Sequence, residues 1–191
     1  MAKVETIGIY GLNESVVGSK FPMSVDVKRL NNTVTPTVCT LASSNNGEGH
    51  DQFLTGITVI FDLTFSNKAW VEAERYTFLN FISSQSTMHR IAKFDISSQC
   101  NEYVSDTTIT EVNRLKDIYN ETQEKEDYLR LLYNIPAGFE LTARMITNYR
   151  ALKTIYKQRR HHRLPEWHVF CDWCETLPYF KEWFVDNKED R

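Results

Sequence analysis

The sequence predicts one α+β domain over residues 1–191, a small and mainly antiparallel sheet packed with several helices, one of them long and C-terminal. Three observations carry this. Ile57, Val59, Phe61, Leu63 and Phe65 alternate with Thr58, Asp62 and Thr64, the period of a strand with one buried face. Met145, Tyr149, Leu152 and Tyr156 recur instead at helical spacing. Internal repeats, low-complexity runs and Gly/Pro-rich linkers are absent, and 191 residues suffice to bury one sizeable core.

Taken in order, Val4 to Tyr10 reads as a short strand, followed by a Gly/Asn turn and a short helix from about Glu14. Thr37 to Ala42 is ambiguous between helix and strand. Ser43 to Gly49, SSNNGEG, is a loop by composition. After the alternating strand, Ser66 or Asn67 caps a helix through about Leu79, with Trp70, Ala73 and Phe81 on its inner side. A second strand is expected over Ser84 to Phe94, and helices near Thr110–Asn120 and Lys125–Tyr133. Leu141 to Trp167 reads as one long helix, and a closing helix runs from Pro165 to Thr176. Trp183 and Phe184 dock the tail, and Asn187 to Arg191 fray.

Charge and composition exclude some partners. A net charge of −3 argues against nucleic acid, leaving Arg159-Arg160-His161-His162-Arg163 as the one basic run that would favour it. That run equally suits a solvated helix C-terminus. The start MAKVETIGIY lacks a signal-peptide core, and no apolar stretch is long enough to span a bilayer, so the expected location is cytoplasmic. The four cysteines do not suggest a disulfide framework there. Cys171 and Cys174 form a C-x-x-C, but a second pair of zinc ligands is missing and no strand precedes the motif as in a redox pair. With Trp167, Phe170 and Trp173 they fit one apolar helix face, so packing is the expected role and no metal site is predicted.

The predicted long helix carries a polar line besides its core stripe. Asn148 and Arg159 are eleven residues apart, which returns them to within about 20° of one face and roughly 16 Å along the axis. Arg144 lies one turn earlier. An amide and two guanidiniums in line suit phosphate and carbonyl oxygens, since guanidinium pairs bidentately with oxyanions. A solvated helix face is the competing reading.

The segment IP(x11)N-x-R-x-L(x6)R…EW, here Ile135, Pro136, Asn148, Arg150, Leu152, Arg159, Glu166 and Trp167, resembles the C-terminal half of the flavin-dependent thymidylate synthases. The resemblance covers roughly a third of the chain well and most of the rest loosely. It implies that Asn148 and Arg150 contact flavin and that Arg159 contacts the nucleotide dUMP. Gly49-His50-Asp51 ahead of Ile57-x-Val59-x-Phe61 looks like the family's loop histidine and first long strand, which makes His50 a further flavin candidate. The acidic residue that the family carries five places after that histidine is Thr55 here.

The family's signature, R-H-R-x-x-S-x-x-x-x-S-x-R, is broken in this chain, and two registers are open. Local identity favours Met88-His89-Arg90-Ile91-Ala92, with Gln85 upstream also matching, which keeps His89, Arg90 and Ser98. Counting from His50 without a gap instead puts the first arginine on Arg75, followed by Tyr76 and Thr77, and the serine near Ser86. The second is preferred because it needs no long insertion. The candidate substrate contacts by resemblance are therefore Arg75, Ser86, His89, Arg90 and Arg159. A basic residue that the family places four positions before the proline is Leu132 here, with Arg130 two residues off. At ~1.5–3 kcal/mol for each charge-assisted contact, losing two or three would weaken dUMP binding about 10³-fold or more.

Two functions follow from the resemblance. The first is a divergent flavoenzyme that binds FAD and a pyrimidine nucleotide and reductively methylates dUMP, with NADPH and methylenetetrahydrofolate as co-substrates. In the second, the chain is a catalytically inactive, phage-type accessory protein that keeps the fold and binds a nucleotide or a host protein in the bacterial cytoplasm. The resemblance also implies a homo-oligomer, a tetramer in the known synthases.

Overall fold

The computed structural model describes residues 2–45 and 47–185. Four strands, β1 (Lys3–Tyr10), β2 (Thr58–Ser66), β3 (Asn80–Ser84) and β4 (Glu140–Asn148), form one antiparallel sheet in the order β1-β2-β4-β3. Helices α1 (Leu12–Ser19) and α2 (Pro36–Ser43) follow β1, and α3 (Asn67–Ala73) follows β2. Between β3 and β4 come α4 (Thr87–Arg90), α5 (Ile96–Gln99), α6 (Asp106–Thr122) and α7 (Lys125–Tyr133). After β4 come α8 (Tyr149–Arg159), α9 (Pro165–Glu175) and α10 (Phe180–Phe184). This is the expected α+β class.

The alternation read in β2 is the alternation of burial: Val59, Phe61, Leu63 and Phe65 are fully buried, and Thr58, Asp62 and Thr64 face the other way. Aromatic rings from α9 close on that inner face. Phe61 meets Trp173 at 4.5 Å between ring centroids, and Phe65 meets Trp167 at 5.0 Å. A smaller cluster of Ile91, Ile96, Val112, Leu115, Leu131 and Phe139 fills the space under α6 and α7, and Leu141 packs against both clusters. Trp183 and Phe184 dock as expected, both buried. The fraying predicted for Asn187 to Arg191 lies outside the described residues.

The largest departure falls on Leu141 to Trp167, which is not one helix. Its first eight residues belong to β4, α8 begins at Tyr149, and the chain turns again after Arg159 before Pro165 opens α9. Met145, Tyr149, Leu152 and Tyr156 are all buried as their spacing predicts, but the backbone that carries them is a strand followed by a helix. Ala143, Met145 and Thr147 are also spaced by two, and β2 pairs with this segment over its whole length, from Thr58 against Asn148 to Ser66 against Glu140. Pairing with a strand already buried on one face outweighs local helix preference. The proposed line of Arg144, Asn148 and Arg159 is lost with the helix. Arg144 lies opposite Asp62 and pairs with it through two bonds, Nε at 2.7 Å and Nη2 at 2.8 Å.

Smaller corrections follow the same logic. The strand expected over Ser84–Phe94 lies earlier, at β3, because Phe81 and Ser84 pair with Met145 and Ala143. Residues 87–93 coil into α4 and a short turn, and Phe94 leaves to pack its ring 5.6 Å from Phe139. Ser66 caps α3, its hydroxyl accepting from the Ala69 N–H at 3.2 Å, but the helix ends at Ala73 rather than Leu79. Phe81 therefore sits on β3, half-exposed, with its ring 5.1 Å from Trp70. The ambiguous Thr37–Ala42 is helical, started by Pro36 and capped by Thr35.

Candidate functional site

The junction of β4 and α8 creates a cleft. Asn148 is extended and caps α8, its Oδ1 accepting from the Ala151 N–H at 2.9 Å. From there Arg150, Thr154 and Gln158, one helical turn apart, line one wall, while Leu152, Ile155 and Tyr156 are buried. The opposite wall is the turn after α3, where Arg75, Tyr76, Thr77 and Phe78 line the cleft. That turn is pinned to the sheet by the buried Thr147, whose hydroxyl donates to the Phe78 carbonyl at 2.7 Å. The cleft measures about 480 Å³.

Two guanidiniums and two amides, those of Asn148 and Gln158, line this space, and among the described residues no carboxylate does. Arg75 is exposed and makes no side-chain hydrogen bond or ion pair among the described residues. Arg150 is held: its Nε donates to Asp51 Oδ1 at 3.0 Å and its Nη1 to Gln52 Oε1 at 3.0 Å. The electrostatics favour an anion, and the Tyr76 and Phe78 rings offer apolar wall for a planar group.

Of the residues singled out in the sequence, Arg75, Asn148 and Arg150 come together in the cleft. Thr55, which stands where the family has an acidic residue, also lines it. His50 lies exposed in the turn before Asp51, and Ser86 precedes α4, on which His89 and Arg90 are exposed; none of these lines the cleft. Of the two signature registers, the one beginning at Arg75 supplies cleft residues. Arg130 is outside the cleft, engaged with Glu126 at 2.7 Å and Asp127 at 3.5 Å.

Arg159 stands behind the wall. Its Nε donates to the Tyr76 hydroxyl at 2.7 Å and its Nη1 to Glu72 at 2.8 Å, with the guanidinium 4.7 Å from the Trp167 ring centroid. Only 11% of the side chain is exposed. Tyr76 in turn donates to Gln158 Oε1 at 3.0 Å. Glu72 also takes the Trp167 indole N–H at 3.3 Å and lies 3.2 Å from His162 Nε2. Arg160 pairs with Asp172, and at 3.5 Å with Glu175. The basic run 159–163 is thus largely engaged within the fold.

Sequence reasoning missed Tyr76 and Phe78 as cleft walls, and Thr154 and Gln158 as cleft polar groups. The spacing 150, 154, 158 was the available signal; it was hidden by reading the helix from residue 141.

Cys171 and Cys174 are fully buried on the apolar face of α9, as their pattern suggested. Burial pushes the Cys171 thiol up to about 12 and raises Cys174 well above the ordinary thiol range. Both are protonated packing groups. Among the described residues no three or more His, Cys, Asp or Glu side chains are grouped to hold a metal ion, and no helix is long and apolar enough to cross a membrane.

Neither a family model nor a curated protein matches the sequence. The fold does match: the chain has the fold of the flavin-dependent thymidylate synthases. It is similar to thymidylate synthase X (ThyX) from Helicobacter pylori, solved with FAD and dUMP, at a TM-score of 0.75 with 13% identity over 98% of each chain. It is also similar to the UMP/dUMP methylase PolB from Streptomyces cacaoi bound with 5-Br dUMP. There the TM-score is 0.62 and the identity 14%, covering 96% of this chain and 91% of that one.

Proposed function

We propose that this chain binds FAD and a pyrimidine nucleotide and acts as a divergent thymidylate synthase-like flavoprotein in the cytoplasm. The observation that carries the reading is the cleft of Arg75, Asn148 and Arg150, where two cations meet no opposing carboxylate among the described residues. The residues fit the group. The guanidiniums suit phosphate oxygens, Asn148 suits a ring carbonyl, and the Tyr76 and Phe78 rings suit a flat heterocycle. When bound, reduced flavin would supply electrons and carry the one-carbon unit to dUMP, with NADPH and methylenetetrahydrofolate as co-substrates. The protein's own residues would orient the reactants and balance their charge.

A homo-oligomer is part of the proposal. Phe78 on the cleft wall and Phe81 and Ile82 on the edge strand β3 are apolar and exposed, a surface that a second copy would cover. Light scattering that gives a monomer at micromolar concentration would remove this part.

The test of the central reading is a visible absorption spectrum after incubation with FAD and desalting. A retained, shifted flavin band supports it, and no retained flavin refutes it. One observation favours the second reading, the inactive accessory protein that binds a nucleotide or a host protein: Arg159 turns its Nε and Nη1 to Tyr76 and Glu72 and does not line the cleft. Flavin-loaded protein that binds dUMP but gives no product with NADPH and methylenetetrahydrofolate would favour that reading over the enzyme.

A further inference from the structure

We infer that Asp51, which lies outside the cleft, is the positioning residue that fixes the Arg150 guanidinium at the cleft wall, with Lys153 as the counter-cation that allows a lone carboxylate to be buried there. The ligand part of this inference rests on the reading of the cleft as a flavin and nucleotide site.

Asp51 is fully buried and straddled by two cations from one helix face. Its Oδ1 accepts from Arg150 Nε at 3.0 Å and its Oδ2 from Lys153 Nζ at 2.8 Å. Lys153 also donates to the carbonyls of Ala42 at 2.9 Å and Ser44 at 2.6 Å. The three donors of the ammonium are then spent, so Lys153 is closed to a ligand. Arg150 differs. Asp51 and Gln52 hold its Nε and Nη1, and Nη2 has no partner among the described residues. One carboxylate against two cations leaves a surplus positive charge, and the guanidinium is the member of the trio that lines the cleft. An arginine already locked by two bonds meets its ligand without freezing a flexible side chain at that moment. Lys153 also ties the end of α2 to Asp51, so the Asp51 carboxylate is itself held from the far side.

A purely structural role makes a different prediction, because it lowers stability while the folded fraction binds as before. The deciding variant is Asp51→Asn combined with Lys153→Met. It removes one charge of each sign, and the methionine lies near the Phe184 ring, now 5.8 Å from Nζ. Lys153→Met alone keeps the Asp51–Arg150 pair and is the reference, since whatever the loss of the ammonium costs is common to both variants. The readouts are FAD affinity, titrated by flavin fluorescence, and exchange protection of the Arg150 Nε–H in ¹⁵N NMR, the resonance being assigned by its loss in Arg150→Lys.

The expectation is that the double variant binds FAD about tenfold or more weaker than Lys153→Met and loses the Nε–H protection that Lys153→Met retains. Affinity in the folded double variant no lower than that of Lys153→Met overturns the inference. If wild type itself retains no FAD, the reading of the cleft fails, and the Nε–H resonance alone decides: protection lost supports positioning, protection kept overturns it. Should the double variant not fold, Asp51→Glu keeps the charge one methylene out of place. Unchanged affinity there, or an unchanged Nε–H where wild type binds no FAD, overturns the inference, and a loss supports it.

Discussion

Replacing Arg159 with alanine should destabilise this protein, although the family resemblance makes Arg159 a nucleotide contact. The guanidinium bridges Glu72 at 2.8 Å and the Tyr76 hydroxyl at 2.7 Å, and lies over the Trp167 ring. Removing one partner of a buried ion pair costs about 3–5 kcal/mol when the other is stranded. Glu72 is 18% exposed and keeps His162 and the Trp167 indole, which brings the loss below that range, to about 2–3 kcal/mol. For a chain of this size that lowers Tm by roughly 5–10 °C. Urea unfolding followed by tryptophan fluorescence measures it directly. Arg159→Lys should recover only part of the loss, since one ammonium cannot match both guanidinium bonds and the ring stack. A change below about 0.5 kcal/mol, the range of ordinary surface substitutions, would refute the buttress.

Arg75→Ala should act in the opposite way, weakening FAD or nucleotide retention about tenfold or more with little change in Tm, because Arg75 contributes charge to the cleft and no bond to the fold. Equal retention by both proteins would remove Arg75 from the site. The Arg144 guanidinium bonded to Asp62 holds its carboxyl below the usual range, so this pair stabilises the native state above the unfolded carboxylate value, about pH 4, and loses that contribution as pH falls through the lower native value. Asp62→Asn should therefore be less stable than wild type at pH 7, by under about 1 kcal/mol for so exposed a pair, with the gap closing below pH 4; a gap that grows on acidification contradicts the assignment. Cys171 and Cys174 should resist a thiol reagent in native protein and react only on unfolding, after the less buried Cys39 and Cys100. Their serine variants should fold with a loss of about 1–3 kcal/mol each, the cost of a buried hydroxyl without a partner, and rapid native labelling would contradict the packing role.

What could be read from the sequence was decided by local rules. The alternation of Ile57 to Phe65 encodes a strand and names its buried face, Ser66 announces a cap, and Lys125–Tyr133 fills its helix to the residue. The family resemblance carried by Pro136, Asn148 and Arg150 suggested two of the three candidate cleft residues that the structure brings together. Tertiary structure decided the rest, because the deciding energies lie between segments far apart in the chain. Residues 140–148 become a strand since β2 needs an antiparallel partner, and that pairing takes Arg144 out of the expected polar line and makes it the mate of Asp62. Arg159 bears a sequence signature for binding, but a partly buried charge must be paired, and Glu72, 87 positions away, is the carboxylate that pairs it. Sequence determines which residues want burial, a turn or a partner; only the folded chain determines which partner each of them finds.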